Sequence, residues 1–286
     1  MSSPDPRLFS ARNRRLILLL ITGHLLWSGL VVSLHYAGML VTKSGPWWDF
    51  GFIAVQLFAA AQLLLPALLL EPAERQRGFY LFWGTALAVL TWSFSQLPAV
   101  DDWQPLLNAG KAGFLLLTAT LIGTVLAQYV KRLWEIIPIC LAMTIADFSS
   151  WLLGPTAEFS RQIQTYYTAP TGPKPLIDMV LVKFAFPDSA RLLPVFGISD
   201  WIMVVFFISV ANRYRKNDNL LGVAGSTIAR QKRLRCYVPI PVVALCGALV
   251  WAQSGHLFIP ALPLIAGVTL LWHTLGALLS WRQAAR

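Results

Sequence analysis

The sequence predicts an all-α, polytopic membrane helix bundle of about eight spans, and three observations carry that prediction. Of 286 residues, 56% are hydrophobic and only 13% charged, with a mean hydropathy of +0.60, a balance foreign to soluble domains. Apolar runs long enough to cross a bilayer recur along the whole chain. The basic residues behind the net charge of +10 fall between those runs instead of forming one patch, which makes them topology signals and argues against nucleic acid as a partner. The expected partner is the lipid bilayer.

A spanning helix takes about 20 mostly apolar residues. Stretches 16–40, 50–70, 78–97, 109–130, 134–154, 192–212, 238–254 and 257–280 satisfy this, the seventh being the shortest. The first follows Arg12, Arg14 and Arg15 in the manner of a signal peptide, but its apolar run is too long and has no clear small-x-small cleavage site. It is expected to stay as an anchor, with the mature chain starting near Met1. Two long connections remain, about 155–191 and about 213–236. The first contains the partly β-branched run 176–186, too short to span as a helix at about 1.5 Å per residue, so it is expected at the interface or against the bundle. The second is basic and polar, and reads as a solvated loop able to touch anionic lipid. No internal repeat or low-complexity tract interrupts this pattern. The chain reads as one transmembrane domain, 1–286, with N-terminal helices in 1–133 and a functional core in 134–280.

Cytoplasmic loops carry the Lys and Arg excess, and only six of the 23 basic residues (Lys43, Lys111, Arg161, Lys174, Lys183 and Arg191) fall on one side of the alternating spans. That side is read as outside. An even number of spans then puts both termini in the cytoplasm, of a plasma (inner) membrane. Cys140, Cys236 and Cys246 have no CxxC or zinc spacing and read as small packing residues. His24, His35, His256 and His273 are scattered, as packing or interfacial histidines are. Neither metal nor cofactor is expected.

Thirteen acidic residues are present, and eleven of them sit in loops, at segment ends or near the termini. Asp147 and Asp200 do not: they lie well inside the apolar stretches 136–153 and 192–210. An ionised carboxylate at such depth is expensive unless protonated, paired or wetted, so each is a functional candidate by default. The plain alternative for either one is a protonated Asp bonded to a neighbouring helix. Together they say more. Asp147 is eight residues from Pro155 and Asp200 nine from Arg191, so helical rise puts both about 12–14 Å below the same surface, on antiparallel spans that allow them to face. Two carboxyls in contact in a poorly solvated place share a proton and titrate as a pair. One then serves as base toward a water and the other as acid toward a carbonyl oxygen, the chemistry of aspartic proteolysis. Gly197 and Ser199 are small enough for close helix approach, and Thr144 lies one turn from Asp147.

The run Gly197-Ile198-Ser199-Asp200-Trp201-Ile202-Met203, the upstream Asp147 in its own helix, and the later Ile259-Pro260-Ala261-Leu262-Pro263-Leu264 together resemble the presenilin and signal peptide peptidase family, over about 134–280. The resemblance implies a presenilin-like core with Asp147 and Asp200 as the catalytic pair and Pro260, Ala261 and Leu262 shaping the site beside them. It also implies transmembrane-helix substrates that unwind before cleavage and pair as a strand with the segment before Asp200. The chain departs from the family where Ala146 stands in place of Tyr, where Ser199 stands in place of Gly, and in having eight spans instead of nine. Pro66-Ala67-Leu68 repeats the later triplet with no intramembrane acid beside it. Position separates the two copies, since Pro260 starts a helix near the outer surface, although a helix-starting proline is also ordinary capping geometry. The orientation, with the first catalytic helix running outward, resembles signal peptide peptidase more than presenilin, and implies signal-peptide remnants or single spans with cytoplasmic N-termini as substrates.

Other intramembrane chemistries lack their motifs: there is no HExxH, and Ser199 is not in a GxSxG setting. The rival is a proton- or cation-coupled transporter using the same two aspartates. It leaves the Pro-Ala-Leu-Pro helix without a role. A non-catalytic relative that only binds membrane helices is the third reading.

Overall fold

The structure, a computed structural model, describes residues 11–41, 45–70, 77–96, 103–169, 174–231, 236–255 and 260–284. Ile259, His256 and the topology-setting Arg7, Lys43, Arg75, Lys232, Arg233, Arg235 and Arg286 lie outside these ranges.

Helices dominate, in the order α1 (Ala11–Met39), α2 (Pro46–Gln62), α3 (Leu64–Ala67), α4 (Arg77–Gln96), α5 (Gln104–Leu126), α6 (Ile136–Leu153), α7 (Pro155–Thr168), α8 (Ile198–Arg213), α9 (Gly225–Gln231), α10 (Ile240–Gly255) and α11 (Ala261–Ala284). Among the described residues, five segments are long and apolar enough to cross a membrane: Arg14–Met39, Pro46–Ala67, Gln104–Tyr129, Leu133–Leu153 and Ala261–Leu278. Gly84–Phe94 in α4 and Ile240–Gln253 in α10 are apolar but shorter.

The sixth expected span is not one helix. Residues Leu193–Gly197 form a strand, β2, and the helix begins only at Ile198. β2 pairs antiparallel with β1 (Leu181–Phe184), with Leu181 opposite Gly197 and Lys183 opposite Pro194. Pro194 explains part of this: it lacks an N–H and holds the preceding residue extended, so the apolar run 192–197 cannot be continuous helix. The run 176–186 is a 3-10 turn (Leu176–Val180) followed by β1, and it lies against the bundle, with Val182, Phe184 and Ala185 fully buried. The fold therefore departs from all-α by one hairpin.

α5 is the centre of the packing, in contact with α1, α4, α8 and β1. In the apolar window of its span 67% of the residues are buried, against 11% in that of α6, which packs against α11. Gly123 lets α5 and α8 touch: a Cβ there would come within 2.6 Å of the Ile202 carbonyl oxygen and 2.7 Å of Val205. The close approach that Gly197 and Ser199 were expected to permit is made here instead, because Gly197 is strand and Ser199 is exposed.

Two glutamines on α2 hold the irregular segments at opposite ends of the bundle. Gln56 donates to the Ala185 carbonyl and accepts from the Ala185 N–H, both at 2.9 Å, fixing the end of β1. Gln62 does the same for Tyr237, at 2.7 and 3.0 Å, fixing the chain before α10. A backbone amide pair with no ladder partner would be costly if buried, and each glutamine satisfies one completely. The loop after α8 is tied down further. Arg213 donates to the Gln128 carbonyl at 2.6 Å, Tyr214 to Val130 at 3.1 Å, and the Trp272 indole to Asn217 at 2.9 Å.

Candidate active site

Asp200 occupies the first turn of α8, where its Oδ2 accepts a 3.0 Å hydrogen bond from the Gly197 N–H. A carboxylate so placed satisfies one of the orphan donors at a helix start. The next residue anchors the helix. Trp201 is fully buried, stacks on Phe196 at 6.1 Å, and donates to Thr120 Oγ1 on α5 at 3.3 Å. The aspartate's place is thus set by a strand before it and an indole after it, and not by depth within a continuous helix.

Asp147 sits in the middle of α6 and is half-buried. Its Oδ2 is shielded from solvent and has no hydrogen-bond partner among the described residues, while the Leu262 backbone N–H lies near the carboxyl. Leu262 is at the second position of α11, where backbone N–H groups have no intrahelical acceptor and are free to meet an anion. Pro260 and Ala261, just ahead, are buried. α11 packs against both α6, which carries Asp147, and α8, which carries Asp200.

The chain therefore enters α11 at buried Pro260 and Ala261 and then Leu262, on a helix packed against those of both Asp147 and Asp200, and Gly197 donates its N–H to Asp200. Ser199 is exposed and its side chain makes no hydrogen bond among the described residues, and Thr144 is half-buried one turn from Asp147. The earlier triplet Pro66-Ala67-Leu68 closes α3, and there the Leu68 carbonyl accepts from Asn212 of α8 at 3.2 Å. No group of His, Cys, Asp and Glu among the described residues could hold a metal ion.

Three contributors escaped the sequence reading. The hairpin was hidden by an apolar run read as helix, although Pro194 marked it. Thr120 and Gly123 sit in an apolar span with nothing local to single them out. Leu262 itself was expected at the site, but as a packing residue; its backbone N–H is what lies near Asp147, and no side-chain motif announces that. No family model, curated protein or solved structure matches this chain.

Proposed function

We propose that the chain is an intramembrane aspartyl endopeptidase that cleaves transmembrane helices or signal-peptide remnants, with Asp147 and Asp200 as the catalytic pair. The observation that carries this reading is a carboxyl on each of two separate apolar helices, α6 and α8, against both of which α11 packs, with Asp200 held by the Gly197 N–H. A single buried Asp needs only a hydrogen bond to be tolerated; two within mutual repulsion form an acid–base couple.

In that chemistry one aspartate takes a proton from water as the water oxygen bonds to the peptide carbon, and the other gives its proton to the carbonyl oxygen. Collapse of the resulting gem-diol passes a proton to nitrogen and breaks the C–N bond, leaving a carboxylic acid and an amine.

The hairpin fits the same reading. α8 is 16 residues, about 24 Å long, short of a hydrocarbon core of about 30 Å, so β2 extends the crossing. Irregular backbone is tolerated at membrane depth only where protein covers it or water reaches it. Among the described residues β2 pairs with β1 alone. Its other edge is where an unwound substrate would add a strand, directly ahead of Asp200.

On this reading the core is presenilin-like, α4, α8 and α10 complete eight passes, both termini are cytoplasmic in a plasma (inner) membrane, and the hairpin lies at the outer end. Substrates are single spans with cytoplasmic N-termini. Detergent-solubilised protein incubated with such a peptide tests it: Asp-dependent cleavage is expected, and Asp-dependent proton flux in liposomes without cleavage would assign the aspartates to transport.

A further inference from the structure

The two aspartate-bearing helices have unequal support. α8 is locked onto α5 by Trp201 and Gly123, whereas only 11% of the residues in the apolar window of α6 are buried, and its main partner among the long helices is α11. Beyond Gly154 the chain continues as α7, joined to α6 by a hydrogen bond between Ser150 and Thr156. At the far end of α7 a buried polar cluster begins.

Asp178 is its centre and is fully buried. Tyr167 of α7 donates to its Oδ1 at 2.7 Å, and Lys183 of β1 donates to its Oδ2 at 2.7 Å. Lys174 reaches the same oxygen at 3.0 Å, and Lys111 of α5 the Asp178 carbonyl at 3.4 Å. Lys183 is itself 1% exposed, lies 3.4 Å from Asn108 Oδ1 of α5, and sits over the Tyr167 ring at 5.6 Å. The hairpin continues the path. β1 pairs with β2 through Leu181 and Gly197, and Gly197 donates to Asp200. One connected route therefore runs from the extension of the Asp147 helix to the Asp200 carboxyl.

Burying an ion pair brings little net stability, since desolvation offsets the attraction and an apolar pair of the same volume serves as well. What such a pair fixes is geometry, because the bidentate use of one carboxylate by a phenol and an ammonium allows one arrangement of α7 against β1.

We propose that Asp178 is a positioning residue: by joining Tyr167 to Lys183 it holds the outer end of the Asp147 helix at a set distance from the hairpin that leads into Asp200. This rests on the protease reading for its effect on rate, though not for its effect on distance. It makes the cluster a brace at the outer end of the two helices, in addition to α11, which packs against both.

The test uses the full chain in nanodiscs, with Cys140, Cys236 and Cys246 replaced by Ala and spin labels on exposed Leu152 of α6 and Ser189 of the hairpin. Asp178→Asn is expected to shift or broaden the distance distribution by several ångströms. It should also lower kcat about tenfold to a hundredfold with KM little changed. Asp178→Asn combined with Lys183→Met removes the most buried of the ammonium groups left without Asp178, with Lys174 and Lys111 remaining, so it should regain much of the native melting temperature without regaining the distance or the rate. Recovery of all three in the double variant would make Asp178 a counter-ion only and overturn the proposal, as would an unchanged distance in Asp178→Asn. If the native chain cleaves nothing, the protease reading fails by itself, and the distances still decide whether the brace exists.

Discussion

Gly123→Ala is the perturbation whose size follows most directly from the coordinates. Its new Cβ would stand 2.6 Å from the Ile202 carbonyl oxygen and 2.7 Å from Val205 Cβ, where ordinary contact begins near 3.4 Å. The backbone of α8 is the nearer obstacle and cannot rotate away, so α5 and α8 must separate by about 0.8 Å, the difference between those two distances. Overpacking of this kind costs about 1–3 kcal/mol, which lowers the melting temperature by about 2–10 °C in a chain of this size. Ile202 is two residues from Asp200, so the displacement reaches the site. A misplacement near 1 Å costs on the order of a hundredfold in rate, and a loss of several tens of fold in kcat is expected. Gly110→Ala, in the same helix with nothing within 4 Å of its Cβ, is the control and should match native stability and rate. Differential scanning fluorimetry and peptide cleavage in the same detergent measure both quantities. Equal behaviour of the two variants would refute the claim that α8 is seated on α5 at Gly123.

Leu262→Pro deletes the N–H that faces Asp147 at a helix position that tolerates proline, whereas Leu262→Ala keeps it. Cleavage should fall about tenfold or more in the first and little in the second, with both remaining folded by size exclusion. Gln62→Leu strips both hydrogen bonds from Tyr237 and leaves a buried amide pair unsatisfied, so unfolding should be easier by about 1–3 kcal/mol in a denaturant titration. Asp218 lies in the loop after α8, where burial, opposed by the hydrogen bond from Tyr237, pushes its carboxyl up to about 6. A raised carboxyl binds its proton more tightly when folded than when unfolded, so its contribution to stability is greatest below about pH 4 and is lost as pH rises through 6. The melting temperature of Asp218→Asn should fall less than that of the native chain over that window, and parallel curves would refute this.

The apolar helices and the two acids were legible because both signals are local: hydropathy accumulates within a window, and a carboxylate in an apolar run is conspicuous wherever it folds. The hairpin was less so. Residues 192–197 are as apolar as a helix, and only Pro194 and the pairing with 181–184, a contact across the intervening turn, make them strand. Lys183 and Asp178 were in view within the run 176–186, but their burial depends on Tyr167, Asn108 and Lys111 arriving from other elements. Gln56 and Gln62 were polar residues in an apolar helix, the same signal as the aspartates in a neutral form. Their partners are backbone groups at 185 and 237, and no side-chain pattern marks those.

The most direct test of the central claim is cleavage of a single-span peptide with a cytoplasmic N-terminus by native protein, Asp147→Asn and Asp200→Asn, each shown to be folded. The account predicts product from the native protein alone, with loss in both variants. Undiminished cleavage in either variant would contradict an acid–base pair built from Asp147 and Asp200.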